Sequence, residues 1–443
     1  MTGFSEIIAK FVNSASKLKA EAIVLMVSKP NYTEMKNFTT RSLNIPFPKK
    51  DPHNALAMPI YESVAFEFDS AEDIAANFRG EFPAHTYSRT SNPTVEYFET
   101  KVRTLTGAHH VLAVSSGMSA ISATMLAICK QGDNIISGKH LFGHTLALFE
   151  QSLSAYGVET RFVDTTKIDL IEPLIDQNTR AIYFETVTNP QLEIADIRKL
   201  AEIANKHGIL LISDSTITPP SVFSSKSLGV HVEVMSTTKF ISGGATAVGG
   251  MIIENGIYEW SQNPNCLEFS KKFGKDAFVA RLRKNYYRNL GMPMTAHTAN
   301  YMIAGLDILE LRVERCYQNC LKLGEFFQQN LKVTRVDYPG LKDSPYYDLA
   351  VSQFGGVPGT VMTFDLSSQD ECFSFMNRLK VIRRATNLND NKSLIIHPYS
   401  TIYAEFPESE RLKMGIRPGM MRLSVGIEGA DDLIEDIEQA LST

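Results

Sequence analysis

Two short stretches carry residue types that together could do covalent chemistry on an aldehyde. Leu210-Leu211-Ile212-Ser213-Asp214 is an apolar run of strand length that ends in a carboxylate. Lys239 follows 25 positions later in Ser236-Thr237-Thr238-Lys239, with Gly243-Gly244 and Gly249-Gly250 just beyond. Singly, each residue is ordinary: a buried strand closing on a turn aspartate, then a surface lysine. The ordered set meets a narrower need. A lysine able to shed its proton can form a Schiff base, an acid at a strand's carboxyl end can keep a pyridine nitrogen protonated, and nearby hydroxyls can bind phosphate. Those are the demands of pyridoxal 5′-phosphate.

Such groups need a rigid frame, and the flanking sequence predicts one. Buried-strand patterns fall at 111–114, 134–137, 158–163, 180–184, 209–213, 232–236 and 249–253, with helical patterns at 95–106, 119–130, 143–156 and 193–207. This alternation predicts an α/β chain with a mostly parallel sheet covered by helices on both faces. Ligands of such sheets lie outside the carboxyl ends of the strands. Residues 256–295 hold the only tryptophan, Trp260, and a basic cluster (Arg281, Arg283, Lys284, Arg288), and read as an insertion and connector. One long helix is expected over 295–330, and 335–443 alternates again as a smaller α/β domain. Residues 36–95, rich in proline and aromatics, suit an arm lying on another surface. Residues 1–34 read as a dispensable extension, because Met35-Lys36-Asn37-Phe38 resembles a protein start. The expected divisions are therefore an extension over 1–35, an arm over 36–95, a large domain over 96–295 and a C-terminal domain over 296–443.

The bulk composition fits an enzyme of this size. A chain of 443 residues can bury an ample core, and 44% hydrophobic with 21% charged residues is ordinary for a globular protein. A net charge of −5 argues against nucleic acid as a partner. Five irregularly spaced cysteines suit a reducing cytoplasm. Cys316 and Cys320 share a helix face, but no neighbouring Cys or His completes four zinc ligands, so packing is expected of them and no metal. No apolar stretch reaches the length of a membrane span.

Tyr87-Ser88-Arg89, Ser115-Ser116-Gly117-Met118, Asn189-Pro190, Asp214, Ser-x-Thr-Lys at 236–239 and Arg422-Leu423-Ser424-Val425-Gly426 occur in one order. From about Phe38 to the C-terminus the chain resembles the PLP-dependent enzymes of cysteine and methionine metabolism. That resemblance implies fold type I, the aspartate-aminotransferase type. Two stretches resemble the O-acetylhomoserine sulfhydrylase branch: Asp390-Asn391-Lys392-Ser393-Leu394-Ile395-Ile396-His397-Pro398, and the insertion opening Gly256-Ile257-Tyr258-Glu259-Trp260.

The resemblance also implies roles. Lys239 would hold the cofactor and shuttle protons once released, and Asp214 would pair with the pyridinium nitrogen. Ser236, Thr238 and the backbone N–H groups of Gly117 and Met118 would bind phosphate, the last two at a helix N-terminus. Asn189 would bond near the ring oxygen, with Thr216 as a further cofactor contact. Tyr87 and Arg89 would reach the phosphate in a neighbouring subunit, which implies a homodimer or homotetramer. Arg422 would clamp the substrate α-carboxylate, and Asn387 would face the substrate.

Two places depart from the family pattern. Its Tyr-Gly-Gly-Thr turn reads Phe142-Gly143-His144-Thr145 here, and its Ser-Leu-Gly reads Asn387-Leu388-Asn389. Phe142 can stack on the cofactor but cannot act as an acid; His144 is the alternative proton carrier, or simply a surface residue. The expected activity is γ-replacement on an O-acyl-homoserine by sulfide or a thiol, giving homocysteine or methionine. A lyase or cystathionine γ-synthase of the same family is the alternative, and a cofactor-binding protein without turnover is the reading from another class.

Overall fold

The computed structural model describes residues 35–49 and 51–442, so the expected extension over 1–34 lies outside the described residues. The chain divides into two compact units at Ile45/Pro46. In the first, the described segment forms the helix Phe38–Leu43, begun by Asn37, whose side-chain oxygen accepts the Thr40 N–H at 2.9 Å.

The second unit holds two sheets. The larger contains β1 (His110–Val114), β2 (Asn134–Gly138), β3 (Glu159–Val163), β4 (Thr179–Glu185), β5 (Leu210–Asp214), β6 (Val232–Met235) and β7 (Gly250–Glu254), in the order β1-β7-β6-β5-β4-β2-β3. β3, β2, β4, β5 and β6 pair in parallel, while β7 runs antiparallel to both its neighbours. Ala181 to Phe184 and Leu210 to Ile212 are fully buried, which is why these strands read as unbroken apolar runs rather than alternations. Tyr183, Leu210 and Ile212 face one core, which also takes in Met125 from the helix Gly117–Ile128. Ile182, Phe184 and Leu211 face the other, under Leu200 and Ala204 of the helix Ile197–His207.

The expected connector over 256–295 is a wall of the first core. Trp260 stacks flat on Phe278 with centroids 4.5 Å apart, and both are buried.

The smaller sheet contains β8 (Arg335–Asp337), β9 (Val361–Asp365), β10 (Arg383–Arg384), β11 (Leu394–Ile396) and β12 (Met420–Ser424), in the order β10-β11-β12-β9-β8. It is antiparallel apart from the β10–β11 pair. Met421 and Leu423 face a core shared with Leu323, Phe327, Leu433 and Ile437. The period of two places Arg422, between them, on the opposite face.

Two expected helices are interrupted. The one over 295–330 is the pair Ala296–Asp307 and Leu309–Gln329, which meet at Ile308. Gly305 lies so close to the loop after Lys239 that a Cβ there would sit 2.1 Å from the Ile241 carbonyl oxygen. Arg312 takes up the Gly305 carbonyl at 2.8 Å and the Phe240 carbonyl at 2.6 Å. The helix over 143–156 is α-helical over Gly143–Ala147 and continues as a π-helix over Leu148–Leu153. No helix among the described residues is long and apolar enough to cross a membrane.

Candidate active site

The carboxyl ends of β4 and β5 open onto a cavity of about 270 Å³. Gly117, Met118, Phe142, Asn189, Asp214, Thr216, Ser236, Thr238, Lys239 and Arg422 all line it. The structure thus gathers residues from positions 117 to 422, at the strand ends where ligands of parallel sheets are expected.

One end of the cavity is built from backbone. The helix Gly117–Ile128 starts there, capped by Ser116, whose hydroxyl accepts the Ser119 N–H at 3.0 Å. First-turn N–H groups such as those of Gly117 and Met118 have no carbonyl one turn earlier to bond to. A Cβ on Gly117 would lie 2.7 Å from Ser236 Cβ, so only glycine allows the two segments this close. Thr216 Oγ1 accepts the Ser236 N–H at 3.0 Å, and Thr238 Oγ1 accepts the Gly249 N–H at 3.0 Å and donates to the Gly249 carbonyl at 3.2 Å. Close backbone, a helix N-terminus and flanking hydroxyls fit a phosphate group.

At the other end lie acids and cations. The Asp214 carboxylate accepts the Thr216 N–H at 2.9 Å and the Tyr183 hydroxyl at 3.3 Å. Burial raises its pKa above the usual carboxylate value, against the pull of its donors. Glu185 is its register partner on β4, and its carboxylate accepts the Phe142 N–H at 2.6 Å. Burial, then the Asp214 charge, pushes Glu185 well up. A cationic ring nitrogen at this spot would relieve both acids, so the residues fit the pyridine end of the cofactor.

Lys239 Nζ donates to Asn387 Oδ1 at 2.5 Å, and Asn387 Nδ2 donates to Asp390 Oδ2 at 3.1 Å. The second bond orients the amide so that its oxygen meets the amine. Burial lowers the Lys239 pKa to about 8; the positive Arg422 adds to this, and Asp390 opposes it. Arg422 is buried, and its guanidinium donates to Asn189 Oδ1, the Thr386 carbonyl and the Asn387 carbonyl, each at 3.1 Å. Its Nε has no partner, and no carboxylate pairs with it among the described residues. Burial pulls its pKa down to about 10.

Not every expected residue reaches the cavity. Tyr87 and Arg89 are exposed, and Arg89 donates to the Arg288 carbonyl at 2.7 Å and lies over the Tyr87 ring. Asn387 arrives through its bond to Lys239, not along the cavity wall. The Asn189 side-chain oxygen is taken by Arg422. Asn389 has φ +52°, a left-handed backbone that asparagine tolerates better than most residues. Its side chain ties the loop to the Thr216 carbonyl at 3.2 Å. Glu185 and Tyr183 were missed by the sequence reading; the signal for Glu185 was an acid closing the apolar run Ala181-Ile182-Tyr183-Phe184, as Asp214 closes its own.

This frame and cavity are those of a pyridoxal-phosphate enzyme of fold type I. Residues 39–442 match the family described as Cys/Met metabolism PLP-dependent enzyme, and the chain belongs to that family. It is 34% identical to the O-acetyl-L-homoserine sulfhydrylase of Corynebacterium glutamicum, over 90% of this chain and 96% of that one. It is also 34% identical to the L-methionine gamma-lyase of Pseudomonas putida, over 92% and 98%. A Campylobacter jejuni protein assigned as an O-acetylhomoserine (thiol)-lyase superposes with a TM-score of 0.88 at 32% identity, covering 92% of this chain and 100% of that one. Its crystal structure carries N′-pyridoxyl-lysine-5′-monophosphate. Pyridoxal phosphate is the cofactor of this family, and metabolism of sulfur amino acids is its field.

Proposed function

We propose that the enzyme catalyses γ-replacement on an O-acyl-homoserine, exchanging the acyloxy group on Cγ for sulfide or a small thiol. The observation that carries this reading is Phe142: an aromatic side chain at the cavity, in the turn where the family has tyrosine, with no proton to give. A carboxylate such as acetate is a weak base and departs without an acid, whereas a thiolate needs more help.

The cofactor, held by Lys239, Asp214, Ser236, Thr238 and the Gly117 and Met118 N–H groups, supplies an electron sink that makes Cα–H and Cβ–H acidic. The chain does the rest. Arg422 receives the substrate α-carboxylate, the counter-ion its buried guanidinium lacks among the described residues. Lys239, once displaced, takes the Cα proton and relays a proton from Cβ. Asn387 and Asp390 hold that amine in place while it is free. Phe142 provides an apolar face over the site. Tyr87 and Arg89, exposed on this chain, fit the proposal that they complete the phosphate site of a neighbouring copy.

A second reading has its own support. His144 lies edge-on to Phe142 with centroids 5.0 Å apart and also lines the cavity. A proton delivered from there would suit a γ-lyase, the activity of a relative at the same identity. Incubation with O-acetylhomoserine, with and without sulfide, separates the readings. Homocysteine and acetate formed only with sulfide supports replacement. Ammonia and a 2-oxo acid released without sulfide would establish the lyase. A cofactor absorbance unmoved by any amino acid would mean no turnover at all.

A further inference from the structure

We propose that His109, His110 and Asp276 form a binding site for a divalent transition-metal ion, zinc by ligand type, which clips the start of β1 to the turn before the helix Ala277–Arg281. The site is independent of the reaction proposed above. His109 Nε2 and His110 Nε2 each lie 2.8 Å from the same Asp276 oxygen, and the three donor atoms are all within 4.8 Å of one another. Ligands about 2.0–2.1 Å from a tetrahedral zinc stand roughly 3.3 Å apart. Widening each of the two His–Asp contacts by about half an ångström brings it to that spacing. Two imidazole nitrogens and one carboxylate oxygen are a donor set that zinc and cobalt accept, with water in the remaining position.

The surrounding backbone holds the three side chains in place. The His109 N–H donates to the Glu254 carbonyl at 2.9 Å, and His110 is the register partner of Glu254 in β7. A Cβ on Gly256 would fall 2.8 Å from His109 Cβ, so glycine there leaves room for the ring. Asp276 closes the tight turn Gly274–Asp276, which Gly274 enters with φ +54°. The buried Glu254 carboxylate, one oxygen of which has no hydrogen-bond partner, lies within electrostatic reach of His109 and Asp276. The nearby cation Arg283 is already paired with Glu99 at 2.8 Å.

β1 leads from these histidines to Ser116 at the cavity, six residues or roughly 20 Å of extended chain beyond His110, so the site lies well away from the chemistry. Its effect should be on stability: Asp276 immediately precedes the helix that brings Phe278 under Trp260. The test uses holoenzyme stripped of metal with a chelator, then titrated with cobalt, whose visible bands report tetrahedral coordination, and with zinc against a chromophoric competitor. The expected result is one ion per chain, with a zinc-dependent rise in Tm. Asp276→Asn and His110→Gln should each weaken binding by about 100-fold or more and abolish the rise in Tm. Retained cofactor absorbance checks that each variant is folded. Failure of the wild-type protein to bind zinc at micromolar concentration would overturn the proposal, as would equal affinity and stoichiometry in the folded variants.

Discussion

Lys239 should react with the cofactor aldehyde through an amine that titrates near pH 8. The ordinary lysine value is 10.5, and burial is the main cause of the drop, with Arg422 second. At pH 7 an amine of pKa about 8 is roughly 10% unprotonated, against about 0.03% at the ordinary value, so the reactive form is about 300-fold more abundant. The assay strips the cofactor, adds pyridoxal phosphate for a fixed short time at a series of pH values, traps with borohydride and quantifies the pyridoxyl group on the peptide containing Lys239. The yield should rise through pH 8 and level off above about pH 9. A yield that climbs steadily to pH 10 with no inflection near 8 would refute the argument from burial. Arg422→Ala removes a positive neighbour, so it must move the midpoint upward; a downward shift would contradict the assigned cause. Stability has a linked sign. The cofactor-free fold holds this proton less tightly than the unfolded chain does, so its stability should gain from Lys239 as pH rises from about 8 toward 10.5, and should show no such gain below 8.

Two substitutions probe the ends of the cavity. Arg422→Ala should raise KM for the amino-acid substrate by roughly 10- to 150-fold, the worth of one hydrogen bond to a charged group, with little change in cofactor affinity. Steady-state kinetics and a cofactor titration check this, and Arg422→Lys should recover only part, since an ammonium that served Asn189 and the two loop carbonyls would have no donor left for the carboxylate. Gly250→Ala would place a Cβ 2.1 Å from the Ser116 carbonyl oxygen and 2.7 Å from the Gly117 nitrogen. It should destabilise the protein by about 1–3 kcal/mol and weaken cofactor binding, read by thermal melting and by absorbance titration. Unchanged cofactor affinity in that variant would argue against phosphate at this helix start.

The sequence was most readable where burial left a one-dimensional trace. The parallel strands β4 and β5 are covered on both faces, so their apolar runs stood out and Asp214 marked an end. Lys239 was legible through its spacing from Asp214 and its hydroxyl neighbours. Less legible were features set by contacts across the chain. The break at Ile308 follows from Gly305 pressing on the loop after Lys239, a contact over more than sixty positions. The stretch over 256–295 read as an insertion and connector, yet Trp260 and Phe278 close the core. Asn387 read as a substrate contact, and its bond to Lys239 became visible only once the loop between β10 and β11 met the turn after β6.

The departures from the family pattern are not scattered. Residues proposed to hold the cofactor, Asp214, Ser236, Thr238, Lys239 and the Gly117 turn, keep the pattern, and the packing shows why they resist change. Gly117 is wedged against Ser236, and Asp214 is fixed by Thr216 and Tyr183. The positions that differ are Phe142, His144, Asn387 and Asn389, and Phe142 and Asn387 bear most directly on the proposed reaction. Phe142 meets the cavity with a face that carries no proton, and Asn387 bonds the amine proposed to move protons. On the proposed reading, changes at those places should alter which leaving group can depart and how the free amine is aimed, without disturbing cofactor binding. Reaction choice, on that reading, should turn first on Phe142 and Asn387. Restoring tyrosine at 142 should speed loss of a thiolate from substrate more than loss of acetate, measured as the ratio of kcat/KM for the two leaving groups. An unchanged ratio would remove Phe142 from the argument and leave His144 as the residue to test.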